Sequence, residues 1–474
     1  MQENFFVVSK VRKNFLRKIF LGEIEMQESD FKVRFDTQTL RSMIAPLFLE
    51  QFLLLAVGLA DTLVISHVNE AAVSGVTLVD QFNIIVIYLF SALSAGGAVV
   101  ISQYIGRKDS GSASESASQL LMFSIILSAV IMVATLFYHR EVLEFLFGRV
   151  EPAVMDACVT YLKISALSYP ALAIYNAGAA LYRSMGKTKT TMYISIASNV
   201  VNVCGNLIGV FVLHAGILGV AYPSLIARTF SAVAITYACF SKLNKVHYDL
   251  DDILKVNFGL LGKILNIAVP NGIESGIFQV VKVALTSIVA LFGTYQIAAN
   301  GVAQSFWSVA AICNPVMGMI FITVIGQCMG SRDITATKFY FKKLLRWTFA
   351  ISIVWNAIIL ALAPLILKLY ALEPETKDLV LWLILIHNIA CALLSPYAFS
   401  LGNGLRATGD VKYTMIVAVA SSVGGRVVMA YLFGVIFGWG VMGVAVAMCV
   451  DWAIRAVLYK RRLDSGAWKN FQVI

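Results

Sequence analysis

The chain is 474 residues long, 59% of them hydrophobic, with a mean hydropathy of +0.79 and a formal net charge of +10. A soluble domain sits nearer about 45–50% apolar, and here long apolar runs recur from end to end, which excludes a soluble globular protein and indicates a polytopic α-helical membrane protein. The short alternating segments of an outer-membrane barrel are missing, and no hydrophilic stretch is long enough for a separate soluble domain, the first forty residues aside.

Residues 1–40 include "FFVVSKVRKNFLRKIFLG", a basic stretch interleaved with Phe and Leu. It lacks the uninterrupted apolar core of a signal peptide. It reads either as an amphipathic helix on the inner leaflet or as a mobile tail, with Met26 as an alternative start. Twelve spans follow, at 43–66, 74–104, 118–138, 155–181, 190–213, 216–240, 264–292, 297–328, 347–370, 378–405, 413–437 and 439–459. Of the 37 Lys and Arg, 28 fall in the N-terminal segment, the even-to-odd loops and the tail. Only Arg140, Arg149, Lys368 and Lys377 lie in loops on the opposite side. The positive-inside rule then puts both termini in the cytoplasm of a multi-pass inner-membrane protein. The same asymmetry accounts for the net charge, so no nucleic-acid partner is needed.

The second half echoes the first at an offset of 224: Pro46 and Glu50 match Pro270 and Glu274, and "VISQYIGRKD" (100–109) matches "VIGQCMGSRD" (324–333). "RSMGKTKTTM" (183–192) matches "RATGDVKYTM" (406–415) at 223, and "GILGVA" (216–221) matches "GVMGVA" (440–445). Six spans repeated with the same orientation make a parallel repeat about an axis along the membrane normal. The expected domains are an N-lobe (41–240), a polar cytoplasmic linker (241–263), a C-lobe (264–460) and a cytoplasmic tail (461–474). Seven of nine prolines fall inside spans. The repeat-matched Pro46 and Pro270 are the expected sites of a functional kink.

Ionised side chains in low dielectric are costly and mark function. The first span, "PLFLEQFLLLAVGLADTLVIS", carries two, Glu50 and Asp61. Eleven residues at ~100° each return to within ~20°, so both share one face about 16 Å apart. The fifth span places Ser195, Asn199, Asn202 and Asn206 at i, i+4, i+7 and i+11, one polar stripe on an apolar helix. The stripe either hydrogen-bonds a neighbouring helix or faces Asp61. In the second case a carboxylate beside amide oxygens suits Na⁺, and the same carboxylate, desolvated, suits a proton. Further intramembrane charges are Lys163, Arg228, Lys282, Arg426, Asp451 and Arg455. Asp451 and Arg455, four residues apart, are expected to pair. Glu274, Lys282 and Arg426 are expected to balance one another. The seven cysteines form no C-x-x-C and read as small buried hydrophobes, and the five histidines show no metal-ligand spacing.

On "P-x-x-x-E" and "GLADTLVIS" in span 1, "VISQYIGRKD" after span 2, "ALYRSMGKTK" before span 5 and "GILGVAYPS" opening span 6, the chain after about residue 38 resembles the MATE (multidrug and toxic compound extrusion) transporters. The resemblance implies an all-α fold of two six-helix lobes around a central cleft, and cation-driven export by alternating access. It implies an N-lobe ion site, which maps onto Asp61, Asn202 and Ser224, with Asn199 beside it. The family's second acidic position falls on Asn206, a departure that weakens the Na⁺ case and leaves Asp61 alone as a proton carrier plausible. It also implies that the span-1 proline, here Pro46, bends during transport. An acidic C-lobe residue used by some members has its candidate in Glu274. On this reading the protein exchanges an amphipathic organic cation for H⁺ or Na⁺ as a monomer with no cofactor. Glu50, Gln51, Asp80, Gln81, Glu274 and the aromatics Tyr88 and Trp307 would receive the substrate through charge and cation–π contact. The alternatives are a lipid or lipid-linked oligosaccharide flippase of the same superfamily, kept open by Lys282 and Arg426, an intramembrane enzyme and a channel. "GLAD" and "ATGD" do not fit an aspartyl-protease signature, and no filter motif is present.

Overall fold

The computed structural model describes residues 31, 35–148, 150–370 and 372–474. The amphipathic reading of residues 1–30 and the position of Arg149 lie outside these. Among the described residues the structure is helical, with no strand. Eleven helices are long and apolar enough to span a membrane: α1 (Thr37–Ile65), α2 (Glu70–Gly106), α3 (Ser110–Phe137), α5 (Thr188–Val212), α6 (Leu218–Cys239), α7 (Phe258–Phe292), α8 (Thr294–Gly330), α9 (Ile334–Leu367), α10 (Pro374–Thr408), α11 (Val411–Ile436) and α12 (Gly440–Ser465). The twelfth span, α4, is a pair, Pro152–Leu167 and Tyr169–Ser184, bent by 43°. The break falls just before Pro170, whose ring cannot continue the hydrogen-bond ladder. Pro46 and Pro270 sit inside helices that run on through them.

Several helices extend well past their apolar stretch. α9 starts at Ile334 and carries Lys338, Lys342, Lys343 and Arg346 before its apolar run begins. Hydrophobicity marks the part of a helix inside the bilayer, whereas caps mark its ends. The caps are legible: Asp36 accepts from the Thr39 amide at 2.7 Å, and Asn69 from the Ala72 amide at 2.7 Å. Asp109 and Asp333, at the repeat offset, accept from the Ser112 and Ala336 amides at 3.0 and 2.9 Å. The Ser112 amide, seconded by its hydroxyl, holds the half-buried Asp109 carboxyl below the usual carboxylate range. That cap is therefore intact at neutral pH and is lost as pH falls through the lowered value.

The repeat holds down to backbone conformation. Lys108 and Arg332 adopt left-handed φ of 65° and 56°, and Gly186 and Gly409 adopt 75° and 102°. The linker is not loose. Gln119 on α3 donates to the Asp252 and Lys255 carbonyls, each at 2.6 Å, and accepts from the Asn257 amide at 2.9 Å. Ser114 and Ser118 accept from the His247 and Asp249 amides, both at 3.1 Å. The polar run "SGSASESASQ" that opens α3 is the strap that binds this segment.

The lobes meet at one end. The largest apolar core joins Val99, Val100 and Ile101 of α2 to Ile320, Phe321, Val324 and Ile325 of α8. Towards the other end the cores separate: one gathers Val64, Val76, Leu162 and Val220 of the N-lobe, another Ile288, Ala299, Leu383 and Val441 of the C-lobe. At the joined end the contact is backbone on backbone. A Cβ on Gly106 would overlap the Gln327 carbonyl oxygen, and one on Gly330 would overlap the Gln103 carbonyl oxygen. The two glutamine side chains complete the symmetry, Gln103 donating to the Ala407 carbonyl and Gln327 to the Ser184 carbonyl, each at 2.8 Å.

Gly106→Leu has no room on either side and is expected to part α2 from α8, destabilising the joined state by ~1–3 kcal/mol. Spin labels at residues 108 and 332 report it: the distance lengthens in the variant, and an unchanged distance distribution would refute this account of the contact.

Candidate functional site

Two carboxylates of α1 face into the N-lobe, as their spacing requires, but into different surroundings. Glu50 is buried to 1% exposure. Its Oε1 meets Arg183 at 2.6 Å and the Tyr175 hydroxyl at 3.4 Å, and its Oε2 accepts from Thr191 at 3.1 Å. The C-lobe repeats this: Glu274 pairs with Arg406 at 2.5 Å, and Arg406 reaches the Thr414 hydroxyl at 3.4 Å. Glu50 with Arg183 and Thr191 thus has Glu274 with Arg406 and Thr414 as its copy. These are neutralised pairs, Glu50 buried and Arg183, Glu274 and Arg406 half-buried, that tie α1 to α4 and α5, and α7 to α10 and α11. Glu50 and Glu274, expected in a substrate surface, each have an arginine partner in the structure. The expected balance of Glu274 with Lys282 and Arg426 is corrected. Glu274 takes Arg406, Arg426 pairs with Asp451 at 3.0 Å, and the expected Asp451–Arg455 pair forms at 2.8 Å.

Asp61 stands apart from this pattern. Its Oδ1 accepts from Asn206 Nδ2 at 2.6 Å, the same amide reaches Asn202 Oδ1 at 3.2 Å, and Asn202 Nδ2 donates to Ser224 Oγ at 3.0 Å. Four of the residues singled out in the sequence thus form one hydrogen-bonded chain across α1, α5 and α6. Asn206 is fully buried, and among the described residues its Oδ1 has no hydrogen-bond partner. Asn199 lies outside the chain, its Nδ2 also unpartnered.

The N-lobe holds a second carboxylate that the sequence assigned elsewhere. Asp80 of α2 accepts from Asn83 at 3.2 Å and lies 3.5 Å from the Tyr161 hydroxyl. Asn83 accepts from Tyr169 at 2.9 Å and reaches Ser165 at 3.4 Å. Asp80 and Arg228 are the charges that act on Asp61, and Arg228 donates to Ser168 Oγ at 2.7 Å. The wall is thus two carboxylates and one guanidinium among amides and hydroxyls. Asn83, Tyr161 and Tyr169 were missed. Asp80 and Asn83 at i, i+3 were the available signal, and the tyrosines of span 4 become visible only when that span folds against α2.

The remaining substrate residues do not converge. Gln51 is half-buried on α1, and Gln81 is exposed on α2. Tyr88 is exposed on α2. Trp307 lies in the C-lobe, stacked on Trp452 with centroids 6.0 Å apart.

A family model for MatE matches residues 46–208 and again 270–432, at the offset read from the repeat. The chain is accordingly a membrane transporter, not an enzyme. It belongs to the MatE family. It is 26% identical over 438 residues to the uncharacterized transporter YisQ of Bacillus subtilis, which covers 91% of this chain and 95% of that one. It is 23% identical over 480 residues to the probable multidrug resistance protein NorM of Thermotoga maritima, covering 98% and 97% of the two chains. The fold superposes on the outward-facing structure of a multidrug resistance MATE family transporter with a TM-score of 0.84 at 18% identity, over 90% of this chain and 96% of that one.

Removing one member of a buried ion pair strands the other, at a cost of ~3–5 kcal/mol. Glu50→Ala is therefore expected to lower the thermal midpoint of the purified protein sharply, and Glu274→Ala, in a half-buried pair, to lower it less. A Glu50→Ala protein with wild-type stability and weakened substrate binding would restore Glu50 to the substrate surface.

Proposed function

We propose that the protein is a secondary active antiporter that exports small amphipathic molecules across the cell membrane in exchange for H⁺ or Na⁺ loaded at Asp61. The single observation that carries this reading is the hydrogen-bonded chain from Asp61 through Asn206 and Asn202 to Ser224. An ionised Asp61 accepts only, so Asn206 must turn its amide nitrogen towards it. A protonated Asp61 becomes a donor, and the adjacent acceptor is Asn206 Oδ1, which has no partner in the present arrangement. Neutralisation therefore favours rotation of the Asn206 amide, which withdraws its hydrogen bond from Asn202 and frees Asn202 against α6. A Na⁺ ion would act on the same groups through their oxygens, with Asp80 offsetting the acidic residue missing at position 206.

The state described here, with lobes joined at the Gly106–Gly330 end and cores apart at the other, supports loading from outside once the positive-inside rule sets that end in the cytoplasm. Both termini are then cytoplasmic. Loading and export are coupled only if ion and substrate favour different states. α1, which carries both Asp61 and Pro46, is the element placed to change between them. The two carboxylates of the N-lobe wall favour an organic cation on that side. The names of the relatives, multidrug resistance and multidrug export proteins, favour small-molecule export over the flippase alternative. Both lobes of one chain line the cleft, so we take the transporter to act as a monomer.

Asp61→Asn keeps the shape and most hydrogen bonds but cannot change charge. In proteoliposomes it is expected to lose gradient-driven efflux of a cationic dye by about tenfold or more, since one lost charge-assisted coupling is worth that much, while keeping its melting point. Wild-type efflux under a pH gradient alone or a Na⁺ gradient alone identifies the coupling ion. Undiminished efflux in Asp61→Asn sinks the assignment.

A further inference from the structure

The C-lobe contains a cavity of 250 Å³ lined by Lys282, Gln304, Trp307, His387, Arg426 and Met448, among others. At the repeat offset, Asp61 becomes Leu285, Asp80 becomes Gln304, Asn83 becomes Trp307, Ser224 becomes Met448 and Gly58 becomes Lys282. Each of these C-lobe residues lines the cavity. The cavity is thus the C-lobe copy of the Asp61 site, with both carboxylates replaced and a cation added. A second cation, Arg426, enters from a π-helical stretch of α11, Ser421–Val428. Such widened turns re-aim side chains and are frequent at functional sites.

The charges do not close. The network built on Glu274 and Asp451 holds Arg406, Arg426 and Arg455. Lys282 joins Arg426 over the Phe278 ring, at 5.8 and 5.3 Å from its centroid. Among the described residues Lys282 has no carboxylate within ion-pair distance, and the charge that acts on it is that of Arg426. Four cations therefore face two carboxylates in a region of low dielectric, where uncompensated charge is costly. The hydrogen bonds do not close either. Arg426 and His387 are 2% and 3% exposed. Among the described residues Arg426 Nη2, His387 Nδ1 and the Trp307 indole N–H have no hydrogen-bond partner, although all three residues line the cavity. A guanidinium, an ammonium and an indole can only donate. What fits among them is a group that only accepts and carries negative charge.

We propose that this cavity is a second ligand site, and that it binds the carboxylate of a small amphipathic organic anion. The carboxylate sits between Lys282 and Arg426, and the apolar body lies against Leu285, Val289, Val444, Met448 and the Trp307 ring. This is a different polarity from the N-lobe wall, and it requires that exported molecules bear an anionic group or that an organic anion regulates the transporter from the C-lobe.

The test is equilibrium dialysis of the full chain in neutral detergent against three probes of one shape: 2-naphthoate, 2-naphthamide and 2-naphthylmethylammonium. No ion gradient is involved, so a failure here leaves the Asp61 reading standing, and a failure there leaves this one. Saturable binding of naphthoate at least tenfold tighter than of the amide or the ammonium is expected, reduced about tenfold or more in Lys282→Gln. Lys282 has no ion-pair partner to strand, so the variant should fold, and Lys282→Arg should restore most of the affinity. Equal binding of the three probes, or naphthoate binding indifferent to Lys282→Gln, overturns the proposal. So does displacement of naphthoate by phosphatidylglycerol in mixed micelles but not by unlabelled benzoate, since the occupant would then be a lipid headgroup.

Discussion

The structure hangs on a place where two helices touch with nothing between them. At Gly106 and Gly330 the backbones of α2 and α8 come so close that a single carbon would not fit, and two glutamines lock the crossing from either side. Everything else follows from this pinch at one end. The apolar core runs through both lobes there and divides above it, which leaves a cleft. The cleft gives each lobe an inner wall, and the walls hold the polar clusters. Side-chain packing could be re-formed in many arrangements. A glycine against a carbonyl has few alternatives, so this contact is either made or broken.

The architecture was largely legible in the sequence. Apolar length revealed the spans, the offset of 224 revealed the duplication, and Lys and Arg placement separated the two ends. "VISQYIGRKD" and its copy were visible as a repeat, but their purpose was not, because a glycine's role against a distant backbone has no local signal. The Asp61 group was legible for a sharper reason. Asn202 and Asn206 occupy one helical face, and a lone carboxylate in an apolar span demands partners. The pairing of Glu50 and Glu274 was not legible, because a carboxylate in an apolar span is costly whether it faces a substrate or an arginine. Arg183 and Arg406 are each the first residue of a repeated segment, but twelve-helix packing decides which arginine reaches which acid. Asp80 and Trp307 were attributed to one shared surface, whereas they lie in opposite lobes, at positions three residues apart in the repeat.

The repeat separates scaffold from function. What the two halves share is structural: the paired glutamates, the left-handed residues Lys108 and Arg332, the caps at Asp109 and Asp333, the α2–α8 crossing. Where they diverge, charge appears without a full set of partners. Asp61 against Leu285 and Gly58 against Lys282 are the clearest cases, and both fall on the inner walls. In a duplicated chain free to let one copy drift, the departures from symmetry are the informative residues.

The linker strapped to α3 has a mechanical meaning. Because Gln119 grips the backbone at Asp252, Lys255 and Asn257, the start of α7 is carried by the N-lobe although its far end belongs to the C-lobe. α7 therefore behaves as a lever with its fulcrum in one lobe and its load in the other. Any rotation of the lobes is taken up along its length, between the strap and Glu274, and Pro270 lies in that interval.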